Sequence, residues 1–372
     1  MTDALARPDR SPRGRRRVLQ LLASLPAIGW AGAAVAGAPH GSQFAVASQA
    51  TPFPAGAAIL VAGPDGGELD RWGRVLAPAL ARYLPQGPAV RVLSAGGADG
   101  VTGANQFDAR TAPDGATVLL VPGAAALAWL AGDPRAQFDA AHWVPVMAGM
   151  TPGIVAGRVG PAMLAPGNRL RIAAGGPGGP ELAALLAIDL LGAEPVPVFG
   201  LSQPAAIRNS FARGELDLVF LSGPHVPDRL AMLAPVGVRP LFSLGAFDAE
   251  GSPARDPLFP DLPRMTEVYG RLHHAAPAGR LYDAYAAAAA AARLDFGLML
   301  PQLTPAAIVA LWRRAGAQAA GSPELQAAAD AASVRPVSGA GAAASTGAVA
   351  TDAGTLLELR HWLASRFNWR PG

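Results

Sequence analysis

From residue 57 onward, short apolar runs alternate with longer stretches in which apolar residues recur every three or four positions. Residues 58–62 predict a strand. After a glycine turn, Leu69, Trp72, Val75, Leu76, Leu80 and Tyr83 share one face of a helix over 68–84, which Pro78 should kink. Residues 90–93 and Thr117–Val121 predict further strands. A second set opens with a strand at 170–174 and a helix over 180–191, started by Pro180 and stopped by Gly192. Strands over Glu194–Phe199 and 216–221 follow, with a helix over 205–213 between them. Residues 304–320 and 356–367 predict late helices, and the Gly/Ala/Ser/Thr tract 338–354 between them reads as a mobile loop. Strands alternating with helices give the α/β class, with mostly parallel sheets flanked by helices in two lobes of similar size. A length of 372 residues suits about two domains.

Charge changes the picture at the N-terminus. The pI of about 9.9 suggests a nucleic-acid binder. However, six of the 30 arginines fall in the first seventeen residues, against only Asp3 and Asp9. Arg13, Arg15, Arg16 and Arg17 precede an apolar stretch over 18–36 that ends in Ala34-Val35-Ala36. A basic start, apolar middle and small-residue site have the form of an export signal over 1–36. Gly14-Arg15-Arg16-Arg17-Val18-Leu19-Gln20 is similar to a twin-arginine signal. Removing those six arginines and two acids leaves 24 arginines against 25 acids, a net charge of −1, so no basic nucleic-acid surface is expected in the mature chain. The alternatives are an uncleaved anchor, for which Ala, Gly and Pro make a poor span, and a later cut after Ala45-Val46-Ala47. The Ala-rich stretch near Ala286, flanked by Asp283 and Arg293, reads as an ordinary helix.

Composition excludes much chemistry. There is no cysteine, and every basic residue is arginine. Thiolate metal sites, a Walker lysine, a Schiff-base lysine and a Ser–Lys dyad are therefore ruled out. No Gly-x-Ser-x-Gly, His-Glu-x-x-His or dinucleotide fingerprint occurs; His273 and His274 are adjacent and diverge on a helix, and the other histidines are scattered. No cofactor or metal is expected. Three glycine turns each follow a predicted strand: Gly63-Pro64-Asp65-Gly66-Gly67, Gly96 through Gly103, and Gly175-Gly176-Pro177-Gly178-Gly179. A strand, a glycine turn and a helix start together aim backbone N–H groups at an anion beyond the strand ends.

The same residues resemble a family. Gly66-Gly67-Glu68-Leu69-Asp70-Arg71-Trp72-Gly73-Arg74 is similar to the Gly-Gly-x-x-Asp-x-x-small-Arg signature of the substrate-binding receptors of tripartite tricarboxylate transporters, the Bug proteins. Gly97 through Asn105 resembles their Gly-Ala-Gly-Gly loop, and Pro113-Asp114-Gly115 resembles their Pro-Asp-Gly turn. Arg213-Gly214-Glu215-Leu216-Asp217 resembles the Gly-Gln-Val-Asp turn, Pro260 through Glu267 the Pro-Asp-Val-Pro-Thr stretch, and Thr304-Pro305 the start of the late helix. The resemblance implies a monomeric, two-lobed periplasmic binding protein with lobe 1 from 51–150 plus 270–372 and lobe 2 from 151–269. Its interlobe cleft would take a small carboxylate or amino-carboxylate, passed on to permease subunits in the membrane. The turns and motif positions together make Gly66, Gly67, Asp70, Gly97, Ala98, Asp99, Gly100, Gly176, Gly178, Gly179, Ser202 and Asp217 the candidate ligand-binding residues.

Departures from the family bear on the ligand. Gly63 and Asp65 stand where Phe and Pro are usual, Asp99 where Gly is usual, Ala116 where Tyr is usual, and Phe199-Gly200-Leu201 where Tyr-Lys-Gly is usual. The cleft has thus gained two acids and lost a lysine, which disfavours multiply charged anions. Asp65 could instead cap the first helix, Asp99 could be a solvated turn residue, and Asp70 could be structural. Rival readings are an exported α/β hydrolase acting on carboxylates and a sensory binding protein that does not transport. Export predicts that protein recovered from the producing cell lacks residues 1–36, which intact-mass spectrometry reads directly. Retention of Met1 in a cytosolic fraction would contradict export.

Overall fold

The structure, a computed structural model, describes residues 53–369, so the expected export signal lies outside the described residues. Strand β1 (Ala57–Val61) leads to α1 (Glu68–Ala81), β2 (Val90–Ser94), α2 (Val101–Arg110), β3 (Thr117–Val121), α3 (Gly123–Ala131) and β4 (Val144–Met150). Then come β5 (Ile154–Gly157), β6 (Arg169–Ala174), α4 (Leu182–Leu191), β7 (Glu194–Phe199), α5 (Pro204–Ala212), β8 (Leu218–Leu221), α6 (Val226–Leu233) and β9 (Arg239–Ser243). After the short strands β10 (Ala246–Phe247) and β11 (Pro253–Ala254), the chain forms α7 (Met265–His273), α8 (Arg280–Arg293) and β12 (Leu294–Leu300). It ends with α9 (Ala306–Ala320), α10 (Pro323–Ala332), β13 (Arg335–Ser338), α11 (Gly339–Gly347) and α12 (Ala353–Phe367).

Two helix-flanked sheets result, as the α/β periodicity predicts. One has strand order β13-β4-β12-β3-β1-β2 and the other β7-β6-β8-β5-β9. The parallel part of each is three strands, β2-β1-β3 and β7-β6-β8; β12, β4, β13, β5 and β9 add antiparallel pairings. The sheets are therefore mixed rather than mostly parallel. Only Thr151, Pro152 and Gly153 join β4 of the first sheet to β5 of the second.

The main apolar cluster reaches both sheets, while Ile154, Ala173, Val219 and Leu221 of the second sheet pack with Ile207 and Phe211 of α5 in a separate one. Helix α8 makes the reach of the main cluster possible. Ala287 to Ala292 are all buried, and α8 packs against α3 and α12 on the side of the first sheet and against α4 on the side of the second. Methyl-sized side chains let helix axes approach to about 8 Å. At the start of α3, a Cβ on Gly123 would run into the carbonyl oxygen of Ala291. Polar contacts support the same layer: Trp362 Nε1 of α12 donates to Asp189 Oδ2 of α4 at 2.9 Å, and Arg366 pairs with Asp189 at 2.8 Å.

The tract 338–354, expected as a mobile loop, is instead mainly α11. Its small residues serve close packing on β4: Ala342, Ser345 and Thr346 are buried, Gly341 lies against Asp248 O, and Thr346 Oγ1 donates to Ala342 O at 2.8 Å. Gly123→Ala is expected to cost about 1–3 kcal/mol through overpacking, while Gly347→Ala, with open space at its Cβ, should be neutral or slightly stabilising. Urea midpoints at unchanged slope measure both.

Candidate ligand-binding cleft

The turns after β1, β2, β3, β6, β7 and β8 converge on a cleft between the two sheets, at the carboxyl ends of their parallel strands. The cleft has a chamber of about 670 Å³ and a second of about 380 Å³; both are walled by Ala124, Pro180 and Ser222. Of the candidate residues, Asp99, Gly176, Gly178, Gly179 and Ser202 line the larger chamber and Ala98 the smaller.

The other candidates line neither chamber. Gly66 N–H donates to Asp70 Oδ2 at 3.1 Å, and Gly67, the residue before α1, donates to Pro64 O at 3.1 Å. Asp70 is buried and accepts from Arg74 Nε at 2.8 Å and Ser94 Oγ at 3.1 Å. Burial pushes its carboxyl up, but Arg74, Gly66 and Ser94 together outweigh that and hold it below the usual range. Gly97 and Gly100 have φ of 78° and 81°, and a Cβ on Gly100 would meet Pro122 Cδ at 2.6 Å, so these glycines shape the turn that presents Ala98 and Asp99. Asp217 sits just before β8, at the end of that strand away from the Ser222 turn, and accepts from Arg171 Nε at 2.9 Å and Nη2 at 2.8 Å. Asp65 does not cap α1; it pairs at the surface with Arg74 at 2.8 Å.

Three charged side chains not anticipated from the sequence dominate the larger chamber. Arg135 pairs with Asp133 at 2.6 Å and Asp99 at 2.8 Å, so the Asp99 charge is met from within the protein; Asp99 Oδ1 also accepts from Val101 N at 3.2 Å. Half-buried Arg229 donates to Ser222 O at 2.6 Å and has no carboxylate within 4.0 Å among the described residues. Burial lowers its pKa, and the nearby Glu181 carboxylate opposes that shift. Glu181 is the third. Its carboxylate lies in the Gly175–Gly179 turn, close enough that a Cβ on Gly179 would stand 2.7 Å from Oε2, and that oxygen is buried without a hydrogen-bond partner. Burial raises its pKa against the pull of the Gly175 and Glu181 amides and of Arg229. The turn expected to cradle an incoming anion thus already holds an acid of the chain.

The smaller chamber contains Glu68 and Asp295. Burial, reinforced by Glu68, pushes the Asp295 carboxyl up to about 7, against the pull of the Trp72 side chain. A sequence signal for Arg229 existed: Ser222-Gly223-Pro224 is a fourth strand-to-helix turn, with Gly223 at φ 83°. Asp295 had none, because its place depends on the antiparallel insertion of β12 between β3 and β4. Among the described residues no three His, Asp or Glu side chains are grouped to hold a metal ion.

No protein-family model matches the chain, and no curated protein matches it. Solved structures do. A TctC solute-binding protein from Polaromonas, solved without ligand, superposes with a TM-score of 0.62 at 19% identity, covering 83% of this chain and 98% of that one. The chain has the two-lobed fold of a TctC solute-binding protein. Two looser matches are MatC from Rhodopseudomonas palustris with bound malate (TM-score 0.46, 19% identity, 82% and 96% covered) and the periplasmic binding protein BugD (TM-score 0.45, 18% identity, 83% and 97% covered).

The raised Asp295 carboxyl predicts that stability depends on pH. The folded state, with the carboxyl near 7, holds its proton more tightly than the unfolded chain near 3.8. The native state binds the extra proton between those values, so this group's contribution falls as pH rises from about 4 to about 7. Asp295→Asn should flatten that fall and be more stable at pH 8 by up to about 4 kcal/mol. Thermal unfolding of both proteins across pH 4 to 8 measures it.

Proposed function

We propose that the mature chain is an exported solute receptor that holds a small carboxylate-bearing ligand in the cleft and delivers it to a membrane permease of the tripartite tricarboxylate type. The observation that carries this reading is Arg229, a half-buried guanidinium in the 670 Å³ chamber with no carboxylate within 4.0 Å among the described residues. A guanidinium fork matches a carboxylate in shape and charge, and its partial burial strengthens the match. The twin-arginine-like N-terminus supports export, and the solute-binding fold supports a receptor role over an enzymatic one.

The acids in the cleft narrow the ligand. Glu68, and Glu181 and Asp295 in their ionised forms, oppose a second carboxylate and favour an amine or an uncharged remainder. Asp99 contributes less than its sequence position implies, because Arg135 neutralises it. The selectivity device is therefore Glu181, which acts by repulsion as well as attraction. The proposed lobes, 51–150 with 270–372 and 151–269, close over the ligand by rotating about the packed layer of α8, α4 and α12.

A thermal-shift screen against mono-, di- and amino-carboxylates tests the reading. Arg229→Met should weaken the best ligand by about 1.5–3 kcal/mol, one to two decades in Kd. Glu181→Gln should shift preference toward dicarboxylates by about 1–4 kcal/mol, for a charge about 4–6 Å away at an effective dielectric of about 20–80. If no carboxylate stabilises the protein, or Arg229→Met leaves binding unchanged, the receptor reading fails.

A further inference from the structure

Beside the crossover from β4 to β5 lies a cavity of about 280 Å³ that shares Thr151, alone among its lining residues, with the smaller chamber of the cleft. Arg293, at the end of α8, lines it and is 4% exposed. Its stem runs along Gly153, where a Cβ would stand 3.0 Å from Arg293 Cγ. Its Nε is buried without a hydrogen-bond partner, and the guanidinium has no carboxylate within 4.0 Å among the described residues. Asp256, which also lines the cavity, is 3% exposed and uses Oδ1 to accept from Leu258 N at 3.0 Å. Half-buried Arg335, which donates to Phe247 O at 2.9 Å, and exposed Asp330 also line the cavity. Buried guanidinium groups in folded proteins are paired, because an uncompensated buried charge is strongly destabilising.

We propose that this cavity is a second ligand site, separate from the cleft, which takes a small monocarboxylate held by Arg293 and Arg335. Two guanidinium groups supply paired donors for one carboxylate. Asp256 then repels a second negative charge, so a dianion is excluded. The volume admits a short acyl chain, with Pro152, Pro257 and Leu258 supplying apolar walls. Thr151 ties the site to the crossover: its N–H and hydroxyl both donate to Arg293 O, at 2.8 and 3.2 Å, and its hydroxyl oxygen accepts from Gly223 N in the second sheet's half at 3.2 Å.

The test uses the full chain carrying Arg229→Met, which weakens the cleft, with propionate and inorganic phosphate as probes in calorimetry. Propionate should bind one per chain, and phosphate at least about ten-fold more weakly. Adding Arg335→Gln, a change at a half-buried residue, should weaken propionate about ten-fold or more, the effect of losing a charge-assisted hydrogen bond. Arg293→Met on the same background should remove propionate binding; should it fail to fold, the Arg335→Gln result stands alone. Propionate binding that Arg335→Gln leaves unchanged, phosphate binding as tight as propionate, or no propionate binding in the Arg229→Met protein would each overturn the proposal. The wild-type response to cleft ligands is read separately, so failure here leaves the receptor reading untouched.

Discussion

The close packing of the alanine run of α8, Ala286 to Ala292, against α3, α4 and α12 is the constraint on which the rest depends. Larger side chains would force the helices apart and separate the two sheets into independent cores. With methyl groups at the interface, one apolar cluster continues from the first sheet into the second. That continuity fixes one side of the molecule and leaves the facing strand ends to form a cleft. The same economy of side-chain volume recurs in α11 on β4. The high alanine and glycine content, which could suggest low complexity, therefore supports interhelical proximity.

Electrostatics divide the cleft into settled and unsettled charges. Arg135, Asp99 and Asp133 satisfy one another. Arg229 does not have such a partner, and the Glu181 and Asp295 carboxyls are held above their ordinary range chiefly by burial. A cleft that holds an unmatched guanidinium offers one strong anionic contact, and its acids, where they are ionised, resist a second. The charge arrangement thus points to one end of a ligand, with apolar walls such as Ala124, Leu127 and Phe220 left to meet its remainder.

Local signals made much of the fold legible in the sequence. Thr117–Val121 and Glu194–Phe199 form strands where alternation and β-branched residues placed them, and Gly192 ends α4 in the left-handed conformation. What sequence periodicity could not carry was strand order. Antiparallel β12 and β4, and with them Asp295, depend on long-range pairing that leaves no short-range pattern. Residues 338–354 read as a loop in the sequence and mainly form α11 in the structure because small residues mark both loops and close-packed helices, and only the surface of β4 decides between them. For the site, turn chemistry located the cleft but not its charges. Asp70 and Asp217 were plausible ligand contacts by motif, yet both bind arginines of the chain, since a carboxylate near a guanidinium in a folded protein is more stable paired than waiting.

That last point also explains why glycine turns alone were an incomplete guide. A turn rich in amides attracts any carboxylate within reach, including one carried by the next helix. In the Gly175–Gly179 turn that carboxylate is Glu181, two residues further along the chain. A tethered acid competes at high effective concentration with a free ligand, so the turn selects against anions unless the acid is protonated or displaced. Burial already raises the Glu181 carboxyl, which lowers the cost of protonating it. The anion-binding geometry is therefore not lost but conditional, and Arg229 in the same chamber decides whether an incoming carboxylate gains enough to take its place.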